Sequence, residues 1–248
     1  MNDAAAFYDG LAEFYHLIFQ DWDRSMARQG DALASVIERW PGREKFLLDA
    51  SCGIGTQALA LALKDYTVVG SDISIGGLQR GRREARSRGV RVESVAADFR
   101  ALPFRSGCAD VVLACDNAIP HLLSLGEIER AITELRRCGR PGGGVIISMR
   151  DYARMPPGTI EARPYGEREW KGRRYAAEQE WVWKGPTYDL TIRFRSLGEG
   201  ADDSIEFTTT YFAVPIEEVM QVMSSAGLAD VERLDGEFYQ PLLVGSVP

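Results

Sequence analysis

The stretch that most constrains this chain is Phe46-Leu47-Leu48-Asp49-Ala50-Ser51-Cys52-Gly53-Ile54-Gly55-Thr56. A short apolar run ends in a carboxylate. Two glycines follow, one residue apart, and a helical pattern continues from Thr56 to Lys64. That order predicts a buried parallel strand, a tight turn and a helix start. Gly53 and Gly55 let the backbone approach a ligand where a Cβ would intervene. The free N–H groups of a helix start suit a carboxylate or phosphate. About twenty residues further on, Tyr66-Thr67-Val68-Val69-Gly70-Ser71-Asp72 reads as a second strand ending in an acid, placed to accept both hydroxyls of a ribose.

This pairing fits two cofactor classes, dinucleotides and S-adenosylmethionine. The full dinucleotide fingerprint G-x-G-x-x-G is missing, because Ala58 stands at its third glycine and Ser51 precedes the pair. The stretch resembles motif I of the class I S-adenosylmethionine-dependent methyltransferases, usually L-D-x-G-C-G-x-G, with Ser51 at the first glycine. The resemblance implies S-adenosyl-L-methionine as cofactor, S-adenosyl-L-homocysteine as product and no metal. It assigns the cofactor to Asp49, Ser51, Cys52, Gly53, Gly55, Asp72 and Ile73, and further along to Asp98, Phe99 and Asp116.

The repeated β-α units that follow support an open α/β fold. Strands are expected at Phe46 to Asp49, Thr67 to Asp72, Arg91 to Ala97, Asp110 to Cys115 and Val145 to Ser148. Helices are expected at Ser74 to Arg88 and Ile128 to Cys138, with a turn at Pro141-Gly142-Gly143-Gly144. Such alternation means a doubly wound, Rossmann-like parallel sheet. Its ligands sit beyond the carboxyl ends of the strands, where Asp49, Asp72, Asp98, Asn117 and Arg150 gather. Ahead of the sheet, Phe7, Leu11, Phe14, Tyr15 and Ile18 follow helical spacing, and Asp23 is a candidate cap for a second helix running to Trp40. After Arg150 the pattern changes. Pro156-Pro157-Gly158 opens an irregular polar stretch. Arg174 to Trp183, Tyr188 to Ser196 and Ser204 to Phe212 then read as three antiparallel strands, the first two joined at Gly185-Pro186. A last helix, Pro215 to Ala226, and two strands, Leu228 to Leu234 and Leu242 to Val247, complete the sheet. The expected organisation is a methyltransferase unit of residues 1–150 and 214–248, with residues 1–42 as a helical lid, and an inserted substrate cap at 151–213.

Composition narrows the function. The chain has 248 residues, 45% hydrophobic and 26% charged, which suits a globular core. Its net charge of −7 argues against nucleic acid as a partner. The basic run from Arg80 to Arg88 reads as the solvated face of a helix. Four cysteines without C-x-x-C spacing and two histidines suggest neither a zinc site nor a disulfide framework. No apolar run approaches a membrane span, and the N-terminus lacks the regions of a signal peptide. A cytoplasmic protein is expected, monomeric or homodimeric.

Two further stretches bear on the acceptor. Cys115-Asp116-Asn117-Ala118-Ile119-Pro120-His121-Leu122 resembles the G-N-S-F-x-H-L segment of glycine and glycine/sarcosine N-methyltransferases, departing from it at Ala118, Ile119 and Pro120. Met149-Arg150-Asp151-Tyr152 resembles their x-R-N-Y. The resemblance implies that Asn117 orients the reacting amine and that His121 is a base or proton relay, its unperturbed pKa being about 6.5. It implies that Arg150 holds the acceptor's carboxylate, and guanidinium gives planar, bidentate recognition of that group. A structural Arg150 paired with an internal acid such as Asp116 is the alternative. Tyr8 and Tyr15 are candidate acceptor-binding residues in an aromatic entry region. The expected activity is methylation of a small amine or amino acid of glycine/sarcosine type. N-, O- or C-methylation of a larger specialised metabolite stays open, with Trp170, Trp181, Trp183 and Tyr188 lining a wider pocket or, alternatively, packing the inserted sheet. A non-catalytic S-adenosylmethionine-binding module is the alternative of another class.

Overall fold

In the computed structural model, residues 4–42, 45–155, 161–198 and 203–248 are described, Glu161 by its backbone alone. The elements run α1 (Ala4–Leu11), α2 (Trp22–Ile37), β1 (Phe46–Asp49), α3 (Thr56–Ala62), β2 (Thr67–Asp72), α4 (Ile75–Ser87), β3 (Val92–Ala96), β4 (Ala109–Ala114), α5 (Leu125–Cys138) and β5 (Gly139–Ser148). They continue with β6 (Glu161–Trp170), β7 (Arg173–Lys184), β8 (Thr187–Leu197), β9 (Ser204–Phe212), α6 (Ile216–Ser225), β10 (Ala229–Leu234) and β11 (Leu242–Ser246).

The main sheet has seven strands in the order β10-β11-β5-β4-β1-β2-β3. β5, β4, β1, β2 and β3 pair in parallel, and the β10-β11 hairpin adds antiparallel to β5. The strand order reverses between β1 and β4, which is where an open α/β sheet takes its ligand. Side chains of a strand alternate between faces, and the two cores follow from this. Leu47, Val111, Leu113 and Ile146 pack against Leu33, Val36 and Ile37 of α2 and Leu61 of α3. Leu48, Val112, Val145 and Ile147 pack against Ile128, Ile132 and Leu135 of α5 and Val219 and Met223 of α6. β4 is buried along its whole length, as a strand covered on both faces must be.

The second sheet is antiparallel, in the order β6-β7-β8-β9. Its inner face carries Tyr175, Trp181, Tyr188, Phe194 and Tyr211 into the core. Its outer face is polar, with Arg193 bridging Glu178 and Glu206. The N-terminal segment lies against the inner face, where Phe14 stacks on Phe194 at 5.4 Å between ring centroids. Trp181 and Tyr188 are fully buried, so they pack this sheet and do not line an open pocket.

Several boundaries differ from the sequence reading. The sheet has four strands where the pattern predicted three. β6 is polar and non-alternating, and takes its form from pairing with β7. Its Pro164 lies beside a register shift on the edge strand, where a missing N–H is tolerated. Pro156-Pro157-Gly158 lies outside the described residues. Asp21, not Asp23, caps α2. Asp21 is extended and its carboxylate accepts the Arg24 N–H at 2.9 Å, so Trp22 becomes the first helical residue. α2 ends at Ile37, short of Trp40. The run from Pro141 to Gly144 is incorporated into β5, which extends from Gly139 with a register shift against β4. Small residues are required there, because a Cβ on Gly144 would lie 2.2 Å from the Trp40 ring.

Candidate active site

A cavity of about 970 Å³ opens at the carboxyl ends of β1, β2, β3 and β4. Its floor is the turn between β1 and α3. The Gly53 N–H donates to Asp72 Oδ2 at 2.8 Å, which fastens the turn to the end of β2. Gly53 has φ +49° and Gly55, the residue before α3, has φ +97°. Both are conformations L side chains avoid. A Cβ on Gly53 would meet nothing closer than Asp72 Oδ2 at 4.0 Å, so it would project into the cavity.

Asp72, Asp98, Asp116 and Glu127 line this space, and Asp49 lies beneath it. Asp49 is wholly buried below the turn. One of its oxygens accepts the Ser51 N–H at 3.3 Å, and the other has no hydrogen-bond partner. Burial, reinforced by the nearby Asp72 charge, pushes Asp49 up to about 7. Asp72 lines the cavity and accepts one backbone N–H on each oxygen, from Gly53 and Ser74. Burial raises it to about 6, against those two hydrogen bonds. Asp98 follows β3 and is held by Arg100 through Nε, Nη2 and the backbone N–H. Burial pushes Asp98 upward, but the Arg100 hydrogen bonds and charge outweigh it and hold the carboxyl below its usual range. Arg100 also reaches Glu127 of α5.

Asp116 and Asn117 follow β4 with φ of 58° and 65°. Asp and Asn are the side chains that best tolerate left-handed backbone. The double turn separates them. Asp116 faces the cavity, where its carboxylate accepts the Tyr15 hydroxyl at 2.5 Å and the Tyr239 hydroxyl. Asn117 turns back into the protein and is 1% exposed. Its amide donates to the Tyr152 hydroxyl at 2.8 Å and accepts the Arg150 backbone N–H at 2.9 Å.

α1 roofs the cavity with Ala4, Ala5 and Tyr8, joined by Ala12 just past its end. It is tied to α4 from both ends. Asp9 accepts from Ser74 Oγ and Gly76 N at 2.7 Å each, at the start of α4. Arg80 of α4 donates to the Ala12 and Glu13 carbonyls just past α1. Tyr8 then reaches His121 Nε2 at 2.8 Å and the Tyr211 hydroxyl at 3.2 Å. The His121 and Tyr211 rings lie 4.1 Å apart between centroids, tilted by 38°. Burial, and then the Arg150 charge, lower His121 to about 3. The imidazole is therefore neutral in the free protein, with Nε2 engaged by the Tyr8 hydroxyl.

Arg150 lies one ring beyond the cavity wall. Its guanidinium packs over Trp181 at 5.1 Å and Tyr211 at 5.7 Å, and donates to the Tyr188 hydroxyl at 3.2 Å. Among the described residues no carboxylate comes within 4 Å of it. The pairing of Arg150 with Asp116 is therefore absent.

The cavity thus gathers Ser51, Cys52, Gly53, Asp72, Ile73, Asp98, Phe99, Asp116, Tyr8, Tyr15 and His121 on its lining. Asp49 and Gly55 support the floor from below, and Asn117 and Arg150 stand behind the wall. Sequence reasoning missed Asp9, Tyr211 and Tyr239. No local pattern marks them; each reaches the site only through packing between distant elements. The four cysteines are free. Among the described residues no group of three or more potential ligands is arranged to hold a metal ion, and no helix is long and apolar enough to cross a membrane.

The floor of paired and unpaired carboxylates, a glycine cradle and a roofed volume fit a cationic cofactor bearing a ribose. Comparison with known proteins agrees. Residues 47–143 match the family described as a methyltransferase domain. The glycine/sarcosine N-methyltransferase of Parasynechococcus marenigrum is 25% identical over 213 residues, 85% of this chain and 72% of that protein. The demethylmenaquinone methyltransferase of Thermus thermophilus is 34% identical over 120 residues, and the match spans only half of its length. Among solved structures, DesVI of Streptomyces venezuelae superposes with a TM-score of 0.79 at 20% identity, over 96% of this chain and 98% of that one. S-adenosylmethionine-bound CalS10, an amino pentose methyltransferase from Micromonospora echinaspora, gives 0.77 at 18% identity, over 90% and 92%. Residues 47–143 thus resemble a methyltransferase domain, and the chain as a whole has the fold of the methyltransferase structures on which it superposes.

Proposed function

We propose that the protein methylates the amine of a small acceptor that also bears an anionic group. The observation that carries this reading is Arg150: a guanidinium packed on Tyr188, Trp181 and Tyr211, without a carboxylate partner among the described residues, behind the wall formed by Asp116 and His121. A desolvated cation without a counter-charge is costly, and a bound carboxylate or phosphate supplies that counter-charge. Glycine or sarcosine is the smallest acceptor of this kind. A second reading, an amino sugar carrying a phosphate, draws on the amino pentose methyltransferase neighbour and on the cavity volume.

In this reading Ser51, Cys52 and Gly53 hold the methionine part of the cofactor, with Asp49 and Gly55 supporting the turn. Asp72 and Ile73 take the ribose. Each Asp72 oxygen keeps a lone pair after accepting its backbone N–H. Asp98 and Phe99 take the adenine. Bound S-adenosylmethionine supplies an activated methyl group and a good leaving group. The chain's task is to bring a neutral amine into line and exclude water, an orientation effect above all. Tyr8 and Tyr15 face the acceptor. Asn117 acts at one remove, by fixing the Arg150 backbone. Residues 151–213 serve as the substrate cap over the unit formed by 1–150 and 214–248.

The test is methyl transfer from labelled S-adenosylmethionine to glycine, sarcosine, other amino acids and amino-sugar phosphates, with the product identified by mass and tandem fragmentation. N-methylated product from an anionic amine is expected. Transfer only to oxygen, carbon or uncharged amines would refute the reading.

A further inference from the structure

Resting on that amine reading, we propose that Asp116 receives the reacting amine and takes its proton, with Tyr15 and Tyr239 as positioning residues for its carboxylate. Asp116 is the one cavity-lining acid on the β4 side, next to the wall that backs Arg150. The other acids are placed differently. Asp72 is pinned by two backbone N–H groups at the floor, and Asp98 is clamped by Arg100 at the far end. Asp49 does not reach the cavity. The His121 Nε2 is engaged by Tyr8, and Arg150 disfavours a proton there.

Asp116 is free for the task. Two hydroxyls fix its orientation, and a carboxylate has about four acceptor positions, so lone pairs remain for an incoming N–H. The groups that face it are Tyr15 from the turn after α1, Tyr8 from α1, Tyr239 from the β10-β11 connection, Tyr165 from β6, Cys115 beside it on the chain, and Arg150 past β5. Burial raises the carboxyl above its ordinary range, while the two hydroxyls and Arg150 draw it back. Asp116 and Arg150 attract one another without pairing within 4 Å.

The step balances simply. The acceptor ammonium passes one proton to an Asp116 oxygen, which frees the nitrogen lone pair. The N–C bond forms as the C–S bond breaks, and the bonding pair leaves with sulfur. The methylated product leaves as an ammonium, and Asp116 returns its proton to solvent to complete the cycle.

The experiment uses Asp116→Asn and Tyr239→Phe in the full chain. Asn tolerates the left-handed backbone and still accepts one tyrosine hydroxyl while its NH2 donates to the oxygen of the other, but it takes no proton. S-adenosylhomocysteine binding is measured by titration calorimetry, and kcat/KM is followed against pH with glycine, sarcosine and glucosamine 6-phosphate. Asp116→Asn is expected to lower kcat/KM by about 10²-fold or more, to abolish the acidic limb of the profile and to leave S-adenosylhomocysteine affinity within about threefold of wild type. Tyr239→Phe removes a donor to the carboxylate, so the acidic limb moves to higher pH; this variant carries the test if Asp116→Asn does not fold. A wild-type limb unchanged in Tyr239→Phe, retained activity in Asp116→Asn, or a parallel loss of S-adenosylhomocysteine affinity overturns the assignment. If wild type methylates none of the amines, the functional reading itself fails, which is a different result from failure of the Asp116 variant alone.

Discussion

Replacing Arg150 by methionine separates binding from stability. In the free protein the guanidinium makes one hydrogen bond from a charged donor, worth about 1.5–3 kcal/mol. It also makes two ring contacts, each worth about 0.5–2 kcal/mol. Against these stands a desolvation penalty of up to several kcal/mol for a partly buried charge with no counter-ion among the described residues. The two sides nearly cancel, and methionine fills much of the same space. Thermal stability of Arg150→Met should therefore stay close to wild type. An anionic acceptor, by contrast, loses its charge partner, a cost of about 2–5 kcal/mol, or about 30-fold to about 5,000-fold in affinity. The assay compares an amino-acid acceptor with its methyl ester in wild type and variant, alongside S-adenosylhomocysteine titration and a melting curve. The charged acceptor should suffer, while the ester and S-adenosylhomocysteine should change little. Equal losses for acid and ester, or a collapse of stability, would refute the reasoning.

Other predictions follow from the floor, the lid and the core. Folded Asp49 sits at about 7, above the unfolded value of about 3.9. The native state therefore binds this proton more tightly; the Asp49 contribution is fully present below about pH 4 and lost as pH rises through 7. Asp49→Asn should stabilise the free protein at pH 8 by about 1–3 kcal/mol, with the gain vanishing below pH 4; urea titrations at both pH values check this, and an equal effect at both speaks against it. Asp9→Ala removes the contacts to Ser74 Oγ and Gly76 N, so it should cost about 0.5–2 kcal/mol and weaken S-adenosylhomocysteine binding through the Asp72 end of the cavity. Unchanged binding by calorimetry would detach the lid contact from the cofactor site. Gly144→Ala drives a Cβ into Trp40 and should destabilise by roughly 1–3 kcal/mol. Gly126→Ala, with nothing within 4 Å in helix α5, should stabilise by about 0.4–1 kcal/mol. Opposite shifts in melting temperature are the expected pair.

What was legible in the sequence is what short-range physics encodes. The apolar runs of β1, β2, β4 and β5, the glycines at the first turn and the acids closing successive strands all act within about one turn or strand of chain. They determined the parallel sheet and the edge at which the cavity opens. Where short-range signals were weak or ambiguous, the reading slipped. Polar β6 exists because β7 pairs with it, and the extension of β5 through Pro141 to Gly144 depends on neighbouring strands and on Trp40.

The orientation of the site's side chains belongs to the tertiary structure. The residues at β4's end were visible as a group, but only the two left-handed steps send Asp116 into the cavity and Asn117 into the core. Arg150 was recognisable as a cation near the site. That no described carboxylate pairs with it emerges only once β7, β8 and β9 set their rings against it. Tyr8, Tyr211 and Tyr239 come from the two ends of the chain and from the second sheet, and no periodicity links them. Their convergence is set by sheet packing and by the β10-β11 return. The sequence by itself therefore determined the fold and the edge at which the cavity opens, through local periodicity and turn chemistry. The tertiary structure decided which charges meet and which stay unpaired, because burial and long-range packing control both.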